Sequence, residues 1–530
     1  MSVPRWNPRV ELSKRELVIM KTVVRTKKLF GFLREHRSAI FDEAFQSELE
    51  TMYRDTGEGL TPVAPALMAM ATLLQAYTGA SDAEVVHLTM VDARWQMVLD
   101  VVGSDERAFS QGALVAFRER LIKHDMDRRL LERTIEVARA TKAFDFKKLP
   151  KSLRVAVDSR PLVGAGRVED TFNLLGRAGR ALLASAAALA SLPVEEVARA
   201  NGAQALLASS IKRGLDVANW SDSAQRDEAL GRLLAMLDAL EQWVHESLED
   251  LAKRPPLSEQ LEILATLREQ NIDPEPPDGG GPTVADGVAP DHVTSLSDRD
   301  MRHGRKSSSK TFTGYKSHLA AELDHGLVLA AAVTPANRPE AEGLDQMRAD
   351  ILRLVPAEIA ELHVDRAYIH AQFAEELRGN GVSFISKART TSRGGLFSKD
   401  DFKFNWRNRT IECPAGEVAR FVVGQVTRFE ANTCGACHLR SDCTDSKRGR
   451  SISVPEDEAL QRKLRRLGAT KQGRAKQRER VGIEHTLAHH AQKQGTRATF
   501  RGQRKNLFDA RRHATVINLE TIARQVQLAA

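Results

Sequence analysis

Leu153-Arg-Val-Ala-Val-Asp158 is a short run with β-branched residues that ends in an acid, and it predicts a buried strand delivering Asp158 at its C-terminal end. Pro161-Leu-Val-Gly-Ala-Gly166 follows as a turn. It lacks the Gly-Lys-Ser/Thr of a phosphate loop, and its glycines do not complete a dinucleotide fingerprint. Further out, Tyr315 to Leu323 and Leu327 to Thr334 predict two strands joined by the tight Asp324-His-Gly326 turn, an antiparallel hairpin. Pro339 to Leu354 predicts a helix, Glu361-Leu-His-Val-Asp365 a strand, His370 to Arg378 a helix closed by Gly379, and Val382 to Ser386 another strand. With two inserted segments set aside, this order is an α/β fold: a mixed sheet with helices packed on it and an acid at the end of its first and fourth strands. Adjacent strands would bring Asp158 and Asp365 together.

The chain has 530 residues and is 42% hydrophobic, enough for two to four cored domains. Its opening, Met-Ser-Val-Pro-Arg-Trp-Asn-Pro-Arg, has no apolar signal region. The longest apolar runs, near Ala64 to Tyr77 and Ala181 to Leu192, are too short to span a bilayer. A soluble, intracellular protein with no membrane partner is expected. All four cysteines lie between Cys413 and Cys443, which suits one local metal site better than a disulfide framework. Cys413, the Cys434-Gly-Ala-Cys437 pair and Cys443 would complete the closed tetrahedral shell of a structural Zn²⁺. His438 could replace one ligand, and reduced thiols or a redox pair are the alternatives.

Residues 1 to 145 read as helices. Pro62 to Tyr77 is apolar, Ser81-Asp-Ala-Glu84 is a capping box, and Ser110 precedes a helix carrying Phe117, Arg118 and Leu121. Two such helices could form a helix-turn-helix DNA reader, and a plain structural bundle fits the spacing as well. From Ser191 to Asp291 nineteen acids face eight bases, and Leu230, Leu233, Leu237, Leu240, Val244, Leu248 and Leu251 recur at three and four residues. This is an acidic helical insertion whose stripe packs on its own domain in preference to forming a dimer seam. Asp273 to Pro290 then reads as a flexible connector.

Between Gln461 and Arg512 sixteen Lys or Arg stand against three acids, a local +13 in a chain whose net charge is +8. Such a surface neutralises phosphates, and Arg478, Arg480, Lys493, Arg501, Arg504 and Lys505 are its candidate DNA contacts. Within it, Arg478-Glu-Arg-Val-Gly-Ile-Glu484 places Arg480 four residues before Glu484 on one helix face, where a solvated ion pair is the plain alternative. Cutting a phosphodiester needs an activated nucleophile and charge neutralisation at the leaving oxygen. Two Mg²⁺ (or Mn²⁺) ions supply both and take oxygen ligands. Asp158 is assigned as the bridging ligand, Asp365 and Glu484 as ligands to one ion each, and Arg480 as a phosphate contact. Asp324, Glu169 and Asp170 are rival acids, the first with a sufficient turn role and the other two in a loop.

At these residues the chain resembles a DDE transposase of a bacterial insertion sequence. Further stations are Gly79-Ala-Ser-Asp82, Trp95, Phe117-Arg-Glu-Arg-Leu121, Gly314-Tyr-Lys316 and Thr334-Pro-Ala-Asn337, and the cysteine block is similar to that of the branch numbered eleven-eighty-two. The family's third-acid signature is Tyr, two residues, Arg, three residues, Glu, six residues, Lys. Arg480 and Glu484 fit it, while Gln477 holds the Tyr place and Ala491 the Lys place, with Lys493 nearby. The resemblance implies a ribonuclease-H-like catalytic core at 150–175 and 295–395, after a helical DNA-binding part at 1–145. The acidic insertion and linker then occupy 176–294, the four-cysteine zinc knuckle 396–455 and the basic part with the Glu helix 456–530. It also implies cleavage at terminal inverted repeats to expose a 3′-OH, joining of that hydroxyl to target DNA, a homodimer or larger synaptic complex, and a bacterial cytoplasmic location, at the nucleoid when DNA is bound. Competing readings are a transposase-derived DNA-binding protein acting by occupancy, and a metal-dependent nuclease that cuts without joining.

Overall fold

Val155 and Val157 are fully buried, and their strand, β1 (Leu153–Val163), lies at the centre of a six-stranded sheet. The computed structural model describes residues 3–26, 28–54, 61–141, 153–275, 281–307, 309–354, 359–391 and 394–529; the expected boundaries at 145 and 150 and part of the 273–290 connector lie outside them. The other strands are β2 (Arg302–Arg305), β3 (Thr311–Glu322), β4 (Val328–Pro335), β5 (Ile359–Val364) and β6 (Ser383–Ile385). β3 lies antiparallel to β1 and carries β2 and β4 in succession along its other edge. On the far side β5 runs parallel to β1, and β6 parallel to β5. The predicted hairpin at Asp324-His-Gly326 is the β3–β4 connection, with Gly326 taking the left-handed φ of 73° that the turn requires.

Register brings the two aspartates together. Val157 pairs with Val364, so Asp158 and Asp365, the next residue on each chain segment, emerge at the same level. One expectation is corrected here: β1 does not end at Asp158 and turn at Pro161, but runs on to Val163 against β3. Pro161 is tolerated because its missing donor faces the open edge of the ladder. Val163, two residues on and oriented alike, points its N–H away from β3 to Thr496 O at 3.0 Å. Asp158 therefore stands within a strand, where pairing with β5 stops.

Helices cover both faces of the sheet. The elements that matter are α1 (Pro65–Thr78), α2 (Met126–Ala140), α3 (Glu340–Leu354), α4 (Lys471–Glu479), α5 (Val481–Gln494) and α6 (Gln503–Ala529). Alternation along the strands separates the two layers: Ala320, Ala330 and Ala332 pack with Leu344, Met347 and Ile351 of α3, whereas Leu319, Ala331 and Val333 pack with Ala510, Ala514 and Ile517 of α6. α6 is apolar on more than one side, as a helix buried between layers must be. Its Phe508, Val516, Leu519 and Ile522 join the cluster that holds Phe30, Phe45, Trp95 and Phe117 of the N-terminal helices. Those helices thus share one core with the sheet. Ser81 and Glu84 form the expected capping box, and Ser110 caps its helix.

The segment after β1 has a core of its own, built by helices Thr171–Ala190, Ser223–Ser247 and Leu257–Asn271. Leu230, Leu233, Leu237, Leu240 and Val244 are all buried within it, so the stripe packs on its own domain as preferred; Leu251, at its end, is exposed. A fourth cluster of Phe402, Ile411, Phe421, Phe429, Ile452 and Val454 lies under the cysteine-bearing segment. Among the described residues, no single helix is long and apolar enough to cross a membrane.

Two glycines test this packing. A Cβ on Gly343 of α3 would meet the buried His318 ring at 2.5 Å, whereas one on Gly231 in the insertion meets nothing within 4 Å. Gly343→Ala should destabilise by about 1–3 kcal/mol, and Gly231→Ala should stabilise by about 0.5–1 kcal/mol through helix propensity. Denaturant titration of both variants checks this, and equal effects would contradict the close α3–β3 approach.

A candidate catalytic carboxylate site

Asp158 projects toward α5, since Ala156 and Leu162 on the same side of β1 pack with Ile483 and Leu487. Asp365 caps the single turn after β5, accepting the Arg366 N–H at 2.7 Å. Glu484 lies in the first turn of α5, and Arg480 is that helix's N-terminal cap residue. The Arg480 guanidinium donates through Nη1 to Asp158 Oδ2 at 3.0 Å and through Nη2 to Glu484 Oε1 at 2.7 Å. One cation thus spans two carboxylates brought together from opposite ends of the chain.

The field at the site is strongly negative. Burial pushes the Asp158 carboxyl up; the Ser159 N–H and Arg480 oppose this, and the charges of Asp365 and Glu484 reinforce it, leaving a net rise. A fourth carboxylate, Glu340 at the start of α3, is also pushed up by burial. Lys316 and the Ser159 hydroxyl pull it down, and Asp158 and Asp365 push it further up. Ser159 faces away from Asp158 and sets its hydroxyl beside both Glu340 and Tyr368. The Tyr368 hydroxyl meets His318 Nδ1 at 2.8 Å, and His318 Nε2 meets Thr334 Oγ1 at 3.0 Å. Burial pushes His318 down to about 3, so it is neutral there. Glu340, Lys316, Tyr368 and His318 are not among the residues expected from sequence. The available signal was that Lys316, His318 and Glu340 lie in or near the Gly314-Tyr-Lys316 and Thr334-Pro-Ala-Asn337 stations, and Tyr368 three residues after Asp365.

A polar seam fastens α4 to the sheet below the site. Lys476 pairs with Glu361, and Arg154 bonds Glu479 at 2.6 Å and Asp324 at 2.5 Å. Glu361, His363 and Glu479 offer ligand atoms within 4.8 Å of one another, a spacing that could hold a metal. Lys476 and Arg154 already supply the countercharge there, so the group works as a clamp. Asp158, Asp365 and Glu484 are less tightly gathered. Their donors are hard oxygens, and a guanidinium occupies the space between two of them, which fits divalent cations such as Mg²⁺.

The rival acids have other partners. Asp324 pairs with Arg154, the buried Glu169 with Arg177, and Asp170 caps the helix Thr171–Ala190. Of the expected DNA contacts, Arg478, Arg501 and Lys505 are exposed. Lys493, mostly covered, pairs with Glu520 at 2.8 Å, and the half-exposed Arg504 pairs with the buried Asp127 at 2.6 Å. Their partners lie on segments whose proximity no local pattern reveals. Cys413, Cys434, Cys437 and Cys443 are half-buried and line one cavity. Burial raises the Cys443 thiol, and the other three thiols add to this against Arg450. The Leu439 N–H donates to Cys437 Sγ at 3.4 Å. Four thiols around one cavity are the soft donor set that Zn²⁺ takes, with sulfurs less tightly gathered than the ligand atoms of Glu361, His363 and Glu479.

Three family models match this chain. One described as a transposase domain covers residues 23–120, and two described as a transposase DDE domain cover residues 295–428 and 412–523. The DDE matches include Asp365 and Glu484, while Asp158 falls between the matched segments. No curated protein and no solved structure matches. The chain belongs to the DDE transposases.

Because the Asp158 carboxyl is raised in the folded state, its contribution to stability is full below the unfolded value of about 4 and is lost as pH rises through the folded value. At pH 7.5 in chelator, Asp158→Asn should therefore raise Tm, on the order of 2 °C, while Mg²⁺ should stabilise only the unaltered protein. Calorimetry decides the matter, and a lower Tm for the variant would mean that the Arg480 ion pair outweighs the repulsion.

Proposed function

We propose that this transposase binds the inverted-repeat ends of an insertion sequence, cleaves phosphodiesters there to expose 3′-OH groups, and joins them to target DNA. The observation that carries this reading is the Arg480 guanidinium seated between Asp158 and Glu484, with Asp365 beside them. Two divalent ions, when bound, supply activation of water or the 3′-hydroxyl and neutralisation of the leaving oxygen. Asp158 would serve both ions, Asp365 one and Glu484 the other. Arg480, released from the carboxylates, would turn to the flanking phosphate, and Arg478, Arg501 and Lys505 would hold the DNA backbone.

The strand order β4-β3-β1-β5-β6, with an antiparallel first half and a parallel second half, supports a ribonuclease-H-like core. We assign end recognition to residues 1–145 with the basic part at 456–530, and catalysis to 150–175 and 295–395 with Glu484. The helical segment 176–294 and the cysteine segment 396–455 are insertions, the latter holding Zn²⁺ on Cys413, Cys434, Cys437 and Cys443. Joining two ends in one event calls for a dimer or larger assembly, and the cysteine block favours the eleven-eighty-two branch. Such a protein would act in the bacterial cytoplasm, at the nucleoid.

Purified protein incubated with DNA flanking its own coding region should make Mg²⁺-dependent breaks at both repeat ends, mapped at nucleotide resolution. Asp365→Asn and Glu484→Gln should lower cleavage by at least on the order of a thousandfold, with end binding kept within a few fold. Binding with no breaks in any sample favours occupancy, and breaks without joined products favour a nuclease. For the cysteines, elemental analysis should find one Zn per chain, lost in Cys434→Ser together with Cys437→Ser. Zinc-free protein with four titratable thiols would refute that assignment.

A further inference from the structure

A line of buried polar side chains runs from the catalytic strand to the N-terminal helices. Arg160, two residues beyond Asp158 on the same side of β1, donates to Gln494 Oε1 and to Gly495 O at 3.1 Å. It grips the C-terminal end of α5, as Arg480 grips the N-terminal end. Gln494 Nε2 donates to Asp509 Oδ2 at 3.0 Å, and Arg512 Nε donates to Asp509 Oδ1 at 2.8 Å. Arg512 Nη1 reaches Gln75 Oε1 of α1 at 2.9 Å. Gln75 Nε2 donates to Asp82 Oδ1 at 2.8 Å, where Arg118 Nη2 also donates at 2.5 Å.

The order Arg, Gln, Asp occurs twice: Arg160, Gln494, Asp509, then Arg512, Gln75, Asp82, with Arg118 closing the line. In each unit a guanidinium meets the amide oxygen and a carboxylate meets the amide nitrogen, so the amide orientations are dictated end to end. Gln75, Gln494, Asp509 and Arg512 are all buried. Burial pushes the Asp509 carboxyl up, but Arg512, His513 and Gln494 outweigh it and hold it below the usual range. Apolar residues in such a line would stabilise as well or better; although the Nε of Arg160 and of Arg118 finds no partner, what the chain of hydrogen bonds adds is one fixed geometry.

We propose that Gln75, Gln494 and Arg512 are positioning residues that set α5, and with it Glu484, against Asp158, and so couple the N-terminal helices to the acid site. The proposal rests on Asp158 and Glu484 forming one divalent-cation site, as read above. It adds that the cation affinity of that site depends on a side chain in α1 that touches neither acid.

The test is the Mn²⁺ affinity of the free full-length protein, which needs no DNA, measured for Gln75→Met, Gln494→Met and the double variant alongside Tm and end cleavage. Each single change should weaken Mn²⁺ binding by about tenfold, and the double should be no weaker than the worse single within about twofold, since both cut one line. Should Gln75→Met not fold, Asp82→Asn breaks the same line at its more exposed end. Unchanged Mn²⁺ affinity, or effects that multiply, overturns the proposal even if the unaltered protein cuts DNA. A shared loss of affinity in a protein that cuts no DNA upholds the proposal and removes the transposition chemistry. A protein that binds no Mn²⁺ overturns both.

Discussion

Asp158, Asp365, Glu484 and Glu340 crowd four carboxylates onto one corner of a sheet, an arrangement that repels itself at neutral pH. Arg480 and Lys316 offset part of the repulsion. The remainder must be held by structure that does not yield. Asp158 is fixed within a strand paired along β3, and Asp365 caps a turn whose Tyr368 is tied to His318. The helix of Glu484 is gripped at both ends by arginines from one strand and its own cap. Below it, the Lys476–Glu361 and Arg154–Glu479 pairs fasten α4 to the same strands. The rigidity around the acids is thus the counterpart of their mutual repulsion, and a bound cation would meet a site already shaped for positive charge.

Much of this frame was legible in the residues. β1 and β5 announced themselves as short β-branched runs ending at acids, the Asp324-His-Gly326 turn required a hairpin, and the leucine spacing in Ser223–Ser247 required a buried helix face. These are local rules, decided within a few residues of chain. What escaped was decided by distant partners. Pro161 signals a turn unless its donor side lies on an open edge, which only the ladder reveals. Lys493 and Arg504 add to a basic count, and only the fold shows that each has an acid partner, Glu520 and Asp127. Glu340 reads as an ordinary acid at a helix start until Ser159 and Asp365 are folded beside it. In the carboxylate site the three acids were readable as strand and helix residues, while the side chains that orient them were not.

The helical start of the chain is equally instructive. Its caps and apolar runs were readable, but its dependence on the sheet was not, because the apolar faces that join the two belong to α6, near residue 520. Periodicity shows that a helix has a face to bury and is silent on what covers it.

That placement of α6 bears on how the protein comes into being. A ribosome delivers the N-terminal helices first and the sheet much later, yet the helix that packs against both is made after either. Until α6 emerges, the nascent chain carries an uncovered sheet face and an incomplete helical cluster. Such long-range closure is slow and leaves apolar surface open to chaperones. Glu484 and Arg480 lie just before that closing helix, so a chain stalled upstream of them would hold Asp158 and Asp365 without the third acid or the guanidinium that bridges to it.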